Sequence, residues 1–433
     1  KDSVNITLNI DEGQNVYIWD SWVSGTQKID SAYVRNEFAF EKGDRFRKSL
    51  MDKTKRTLLK AGFFSSVSLI THSIAGQDSL VNIEVKIREF QNRGVQAFDI
   101  GYEDIEYVPG VKSLVGMGGS ARWTDRMIFG TKNRFDATGS VVMPSEEGFL
   151  YPRFSVDMKF SNQRPLSIKL PTQVKLFYQQ FKNFGDEEGP YVRRFGLQYS
   201  NIFRWNRQRS FLDVGFRFEL FDESNLIKDQ IEQRKFKIHL HQDNRDNPMN
   251  PNNGNVFVFQ LDGYGGPLGG NRSFTKYDID FRQYISPFKN FTIAGRVNVG
   301  MITGWSTKYD QYETILFEKF YLGGSNTLRA WKPLQFMTSS NQQGRRYPLG
   351  KTAKILTNWE ARFPLFWKLG GVIFFDNGFI SDNLETIRYE DLEWNRGLGI
   401  TFNLPFGPIR IDYAESIKDP SVKQFHFGFL YSF

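Results

Sequence analysis

The segment Val422-Lys-Gln-Phe-His-Phe-Gly-Phe-Leu-Tyr-Ser-Phe433 narrows the possible folds more than any other part of the chain. Successive side chains of an extended strand point to opposite faces. Phe425, Phe427, Phe429, Tyr431 and Phe433 then share one face, and Gln424, His426, Gly428 and Ser432 share the other. A strand of a soluble sheet rarely shows five aromatics to one side. A strand of a closed membrane barrel does so as a rule, because one face meets lipid and the other a wet lumen. The alternation predicts five lipid-facing aromatics, with Gln424, His426 and Gly428 facing inward.

Composition agrees with this reading. Mean hydropathy is only −0.46, yet 16% of the 433 residues are aromatic, among them 42 Phe and 18 Tyr. Dyad patterning reconciles the two, since lumen residues cancel lipid-facing ones in any window. No run of about 18 apolar residues exists, so no transmembrane helix is expected. No signal peptide is recognisable, and the chain opens in a strand-like run at 4–10, which reads as a mature or trimmed piece lacking further N-terminal modules. The absence of cysteine suits an envelope protein that avoids stray disulfides. Lys and Arg number 56 against 48 acids, a formal charge of +8. Two readings stay open: an anionic partner such as lipopolysaccharide, or a plain surplus of lumen and loop cations.

Residues 1–90 differ from the rest. Strand-like runs at 4–10 and 16–23 precede Ser31, which reads as the N-cap of a helix over 32–40. Leu50, Met51, Thr54, Leu58 and Leu59 fall near helical spacing and predict a second helix over 48–61. Alternating runs at 67–71 and 81–87 close a small α+β module. Val23-Ser-Gly25, Glu41-Lys-Gly-Asp44 and Leu59-Lys-Ala-Gly-Phe-Phe64 followed by Val67 resemble the signature of a polypeptide-transport-associated (POTRA) domain.

From 91 to 433 helical patterns vanish. Extended runs recur from 95–104 to 422–433 and number sixteen, an even count as bacterial barrels require. Asn, Pro and Gly punctuate the turns, as in Asp243–Gly254 and Asn403–Pro408. The expected class is therefore an all-β transmembrane barrel of sixteen antiparallel strands behind one small α+β domain. About fifty residues separate the eleventh run (291–302) from the twelfth (354–365), and long loops are usually functional.

That loop contains Phe320-Tyr-Leu-Gly-Gly-Ser-Asn-Thr-Leu-Arg-Ala-Trp331. Gly323 and Gly324 permit a tight reversal. Arg329, between Leu328 and Ala330 and followed by Trp331, could fold back into the lumen, where a guanidinium needs carboxylates. Glu360 and Asp376 lie in the inward phase of the two strands that follow. The chain here resembles the BamA/TamA superfamily of outer-membrane assembly factors, which also includes two-partner-secretion transporters. In that family a sixth-loop tip of arginine, glycine and aromatic docks inside the barrel. Leu328-Arg-Ala-Trp331 stands in its place, with Ala330 where glycine is usual. Glu360 and Phe374-Phe-Asp-Asn-Gly378 match the acidic partners, and Trp123–Gly130 also resembles a family segment. His426, Gly428, Tyr431 and Phe433 match the C-terminal strand signal. The short spacing from Gly324 to Leu328 resembles the TamA or secretion branch more than the BamA branch.

The resemblance implies a non-enzymatic factor, in the outer membrane with its POTRA domain in the periplasm, that inserts other barrel proteins. It implies partners of four kinds: membrane lipid, lipopolysaccharide, unfolded client barrels, and periplasmic or lipoprotein partners through the POTRA domain. Clients would act at a seam between the first and last strands, near Gly101 and Gly428. The alternative is a transporter passing an unfolded exoprotein through the lumen. No cofactor is expected. His239 and His241 share a strand face, but no third ligand is near them. Gly265–Gly270 lacks a following helix and reads as a turn, not a phosphate loop. No nucleophile–base pair stands out, and strand alternation explains the interleaved basic and aromatic residues better than nucleic-acid binding.

Overall fold

The computed structural model describes residues 14–92, 94–108, 111–128, 133–144, 151–162, 165, 170–182, 191–206, 209–223, 231–304, 318–340, 346–405 and 407–433. The chain forms two compact units. The N-terminal one runs to Val95 and takes in Thr124–Phe135; the other comprises Gln96–Trp123 and Asp136–Phe433. The strand expected at 4–10 lies outside the described residues.

The N-terminal unit is built from β1 (Tyr17–Ser24), α1 (Ser31–Arg35), α2 (Lys48–Lys60), β2 (Phe64–Ile74) and β3 (Gln77–Glu89). Its sheet order is β1-β3-β2, with β1 parallel and β2 antiparallel to β3. The buried faces of α2 (Met51, Leu58) and of the strands (Ile18, Val67, Ile83, Val85) join Val34 and Phe64 in one core. The first helix differs from expectation. Asp30, not Ser31, caps it, accepting from the Ala32 amide at 2.9 Å. It ends at Arg35, and the chain then turns so that Phe38 stacks on a buried Phe40 at 5.0 Å. Core burial of Phe40 therefore outweighs helix continuation. The loop before α1 is held by Glu89, whose carboxylate accepts from the amides of Gln27, Lys28 and Ile29 at 2.9–3.1 Å.

The second unit is a sixteen-stranded barrel. In chain order its strands are β4 (Gly94–Val108), β5 (Val111–Asp125), β6 (Arg134–Pro144), β7 (Arg153–Asn162), β8 (Thr172–Lys182), β9 (Tyr191–Trp205), β10 (Ser210–Glu223), β11 (Ile231–Asp243), β12 (Gly254–Tyr264), β13 (Phe274–Phe288) and β14 (Phe291–Gly304). After the long loop, which carries a small hairpin of β15 (Thr338–Ser340) and β16 (Arg346–Pro348), come β17 (Ala353–Pro364), β18 (Leu369–Ser381), β19 (Glu393–Leu404), β20 (Gly407–Ser416) and β21 (Lys423–Phe429). Each barrel strand pairs with its sequence neighbour, so β4 and β21 are the two ends of the sheet order. Period-two alternation decides the faces. In β17, Asn358, Glu360 and Arg362 are buried inward while Trp359 is exposed.

The C-terminus departs from strict alternation. Phe425, Phe427 and Phe429 lie on the exposed face. The strand ends there, because Leu430 adopts a left-handed φ of +64° and its amide bonds Pro408 O at 2.7 Å. That bend turns Tyr431 and Phe433 inward, so they are not lipid-facing. The Arg362 guanidinium stacks 3.7 Å from the Tyr431 ring. Phe433 packs with Val256, Tyr284 and Ala294 of β12–β14. Both rings thus gain lumen partners that period-two counting cannot foresee.

Candidate functional site

The loop between β14 and β17 forms a self-bonded tip. Gly323 and Gly324 have φ of +109° and +101°, the left-handed region that glycine tolerates. At Gly323 the space is also closed, since a Cβ there would lie 2.3 Å from Lys332 O. Gly323 N–H donates to Thr327 Oγ1 at 2.9 Å, and Gly324 N–H to Trp331 O at 2.9 Å. Leu322 and Leu328 pack on Tyr264, Phe274, Ile302 and Leu356 of the barrel wall.

This frame aims Arg329 at the wall formed by β17, β18 and β20. The side chain is fully buried. Its Nε and Nη2 donate to the two oxygens of Asp376 at 2.8 and 2.7 Å, and its Nη1 donates to Glu360 Oε1 at 2.7 Å. The guanidinium also lies 3.4 Å from the Phe374 ring. The bidentate fork matches carboxylate geometry, and the ring face attracts the cation. Asp376 in turn receives Asn358 Nδ2 at 2.8 Å, which also donates to Thr327 O at 2.8 Å.

Further residues complete the cluster, and sequence reading had not singled them out. Arg362 donates from Nε to the other Glu360 oxygen at 2.8 Å. Arg410 pairs with Asp412 at 2.7 Å and donates to Ser325 O and Asn326 Oδ1, both at 3.2 Å. Asp412 lies 3.8 Å from Arg329 Nη1. Arg329, Arg362 and Arg410 thus face Glu360, Asp376 and Asp412, and the cluster balances in charge. The available signal was phase: Arg410, Asp412 and Ala414 share the inward face of β20 against Ile409, Ile411 and Tyr413.

Ala330 needs no glycine. It is absent from the positive-φ residues, and its buried methyl packs with Val372, Phe374 and Ala414. Trp331 Nε1 donates to Glu393 Oε1 at 3.2 Å. His426 of β21 reaches Arg329 O, and Ser432 Oγ donates to Ser325 O at 2.8 Å. Gly428 lies beside Arg410. Gly101 on β4 joins none of these contacts; a Cβ there would meet nothing within 4 Å. His239 pairs with Asp262 at 2.9 Å, and His241 stacks on Phe211 at 5.2 Å. Among the described residues no three metal-ligating side chains converge. Chemically the cluster can hold a loop against a wall; it offers no nucleophile with a base.

Known proteins match both units. A POTRA family model, described as a surface antigen variable number repeat, covers residues 16–89, and the Omp85 superfamily domain covers 120–433. The outer membrane protein assembly factor BamA of Nitratidesulfovibrio vulgaris is 24% identical over 98% of this chain and 52% of its own length. BamA of Neorickettsia risticii is 22% identical over 99% of this chain and 57% of its own. The chain thus spans about half the length of these curated relatives. Among solved structures, BamA from Haemophilus ducreyi lacking POTRA domains 1–3 has a TM-score of 0.71 at 15% identity, covering 96% of this chain and 84% of that one. CdiB from Acinetobacter baumannii has a TM-score of 0.54 at 12% identity, covering 96% and 73%. With the barrel model spanning most of its length, the chain belongs to the Omp85 superfamily, an outer-membrane barrel preceded by a periplasmic POTRA domain.

Proposed function

We propose that this chain inserts other β-barrel proteins into the outer membrane, offering a client strand the edge between β4 and β21. The observation that carries this reading is the exposure of β4. Phe98, Ile100 and Tyr102 are 76%, 84% and 71% exposed, whereas Ile279 and Phe281 in mid-sheet are 42% and 41%. Glycine beside it on β5 bares part of Ile100, since Gly119 is its neighbour there, and the end position of β4 in the sheet order accounts for the rest. Unpaired backbone in hydrocarbon costs several kcal/mol per group, so an incoming strand that pairs with such an edge gains strongly. β21 adds to the argument by its shortness: seven residues, paired to β20 and then bent inward at Leu430.

Clients would be unfolded barrel proteins. The periplasmic sheet, with β1 and β2 at its edges, could also accept extended segments or lipoprotein partners by strand addition. The curated relatives favour the BamA branch over the branch that the Gly324–Leu328 spacing resembled. Transport through the lumen is the weaker reading, because the docked tip and the inturned Tyr431 and Phe433 occupy the interior.

The test uses the chain's lack of cysteine. Paired cysteines placed near Gly101 and Gly428 should form a disulfide across the seam without competing thiols. Locking should stop client insertion, and reductant should restore it. Insertion at the unlocked rate through a verified crosslink would overturn the reading.

A further inference from the structure

We propose that the lipid-facing wall at β13, β14 and β17 carries a binding site for one acyl chain of a phospholipid in the periplasmic leaflet. The membrane-facing side has a recess of about 300 Å³ there, near the lower end of ligand-sized sites at roughly 300–1,000 Å³. Gly295 forms its floor, in register with Gln283 on one side and Trp359 on the other. Phe281, Ile285, Ile293 and Val297 form the flanks, and the Trp359 ring forms one wall. The recess exists because position 295 has no side chain: a Cβ would come within 2.8 Å of the Trp359 ring.

The walls select hydrocarbon. Gln283 points its amide into backbone bonds, to Gly254 O at 3.0 Å and Tyr284 O at 3.2 Å. Arg296, which also borders the recess, directs its guanidinium to Asp280 and to Asn326 O. Almost no polar surface lines the recess, while a flat indole and branched aliphatics suit a methylene chain.

The site's depth identifies the leaflet. β14 runs upward from the Lys289-Asn290 turn, at the barrel end where β4 begins. Ile293 at its lower flank lies about 10 Å along the strand from Asn290 and the Gly295 floor about 17 Å, which a strand tilt of about 40° makes about 13 Å of depth from the turn. Exposed Phe288, Phe366 and Trp367 mark the interface at that rim. Lys289 and Lys368 are exposed in the same two turns, placed to meet a phosphate while the acyl chain rises into the recess.

The test is photolabelling of the full chain in phosphatidylethanolamine–phosphatidylglycerol vesicles, with a phospholipid carrying a mid-chain diazirine. Label should be enriched about threefold or more on residues 281–297 and Trp359, relative to Leu398, Ile400 and Ile411 on the same lipid belt. Ile293→Trp should fill the recess and bring labelling down to the belt level. Gly295→Ala, which displaces the indole, should do so independently, with heat-modifiable migration reporting folded barrel. Even labelling along the belt, or enrichment that survives both substitutions, would overturn the proposal. Stronger labelling of the recess by acyl-labelled lipopolysaccharide than by phospholipid would overturn it as well.

Discussion

His426 Nε2 lies 2.6 Å from the carbonyl oxygen of Arg329, so the last strand is hydrogen-bonded to the loop tip. A carbonyl only accepts, so the ring donates from Nε2. His426→Leu leaves that buried carbonyl unpaired, at a cost of about 1–3 kcal/mol. His426→Gln keeps a donor and should retain more of the link. Spin-label distances between β21 and residues near 329 should broaden in the Leu variant and less in the Gln variant. Unchanged distances in both would remove the latch.

Arg329→Ala should destabilise the barrel by about 3–5 kcal/mol, because it leaves the buried Asp376 without its cationic partner and Glu360 with Arg362 alone. Arg329→Lys should recover little, since an ammonium cannot bond Asp376 through two parallel N–H groups and still reach Glu360. Urea unfolding in detergent measures both. A loss near that of a surface pair, under about 1 kcal/mol, would contradict the docked geometry.

Labels at 427, 428 and 433 should report three environments. Position 427 should be quenched by lipid-borne probes, and 428 and 433 should not. Phe427→Arg should cost roughly 2–4 kcal/mol if it sits near the bilayer midplane. Lipid quenching at 433 would mean that the chain stays extended beyond Leu430.

Glu89 gives the periplasmic domain a pH dependence. Burial raises its pKa, but the amides of Gln27, Ile29 and Lys28 lower it further, and the net value lies below the ordinary 4.5. A depressed native pKa contributes stability that is present above the unfolded value and lost as pH falls through the folded one. Hydrogen exchange of the Gln27–Ile29 amides should therefore quicken as pH drops below about 4 after correction for intrinsic rates. Glu89→Gln should flatten that response and lower domain stability by about 2 kcal/mol. A pH response unchanged by the substitution would assign it to another group.

Gly323→Ala should be far worse than Gly101→Ala. The first adds strain at φ +109° and a 2.3 Å approach to Lys332 O; the second meets open space. A cost of about 1–3 kcal/mol is expected for the first, and almost none for the second. Equal melting temperatures for the two variants would refute the tip geometry.

Barrel strands and their two faces were legible because lipid and lumen impose opposite chemistry on alternate residues. The same rule put Glu360 and Asp376 on the inward face, while the docking of Arg329 was read from the loop's Leu328-Arg-Ala-Trp331 run and the family it resembles. It failed where the backbone stops alternating. Nothing local in Leu430 announces a left-handed φ, so Tyr431 and Phe433 were read as lipid-facing. The first helix was misjudged for a related reason: burial of Phe40 is a tertiary effect and overrides a plausible helical run. Arg410 and Asp412 were visible as inward charges, but only three-dimensional closure brings β20 to the loop tip.

Arg329 is held by residues 31 and 47 positions further along the chain, and its carbonyl by one 97 positions further. The tip therefore cannot settle until β17, β18 and β21 exist around it. The same loop also needs the other half of the barrel, because its Tyr321 and Leu334 pack with Ile105, Phe181, Val192, Phe221 and Ile231 of β4 and β8–β11. Docking of the loop is therefore a late event in the protein's own biogenesis, reached only when strands from both ends of the sequence stand around it.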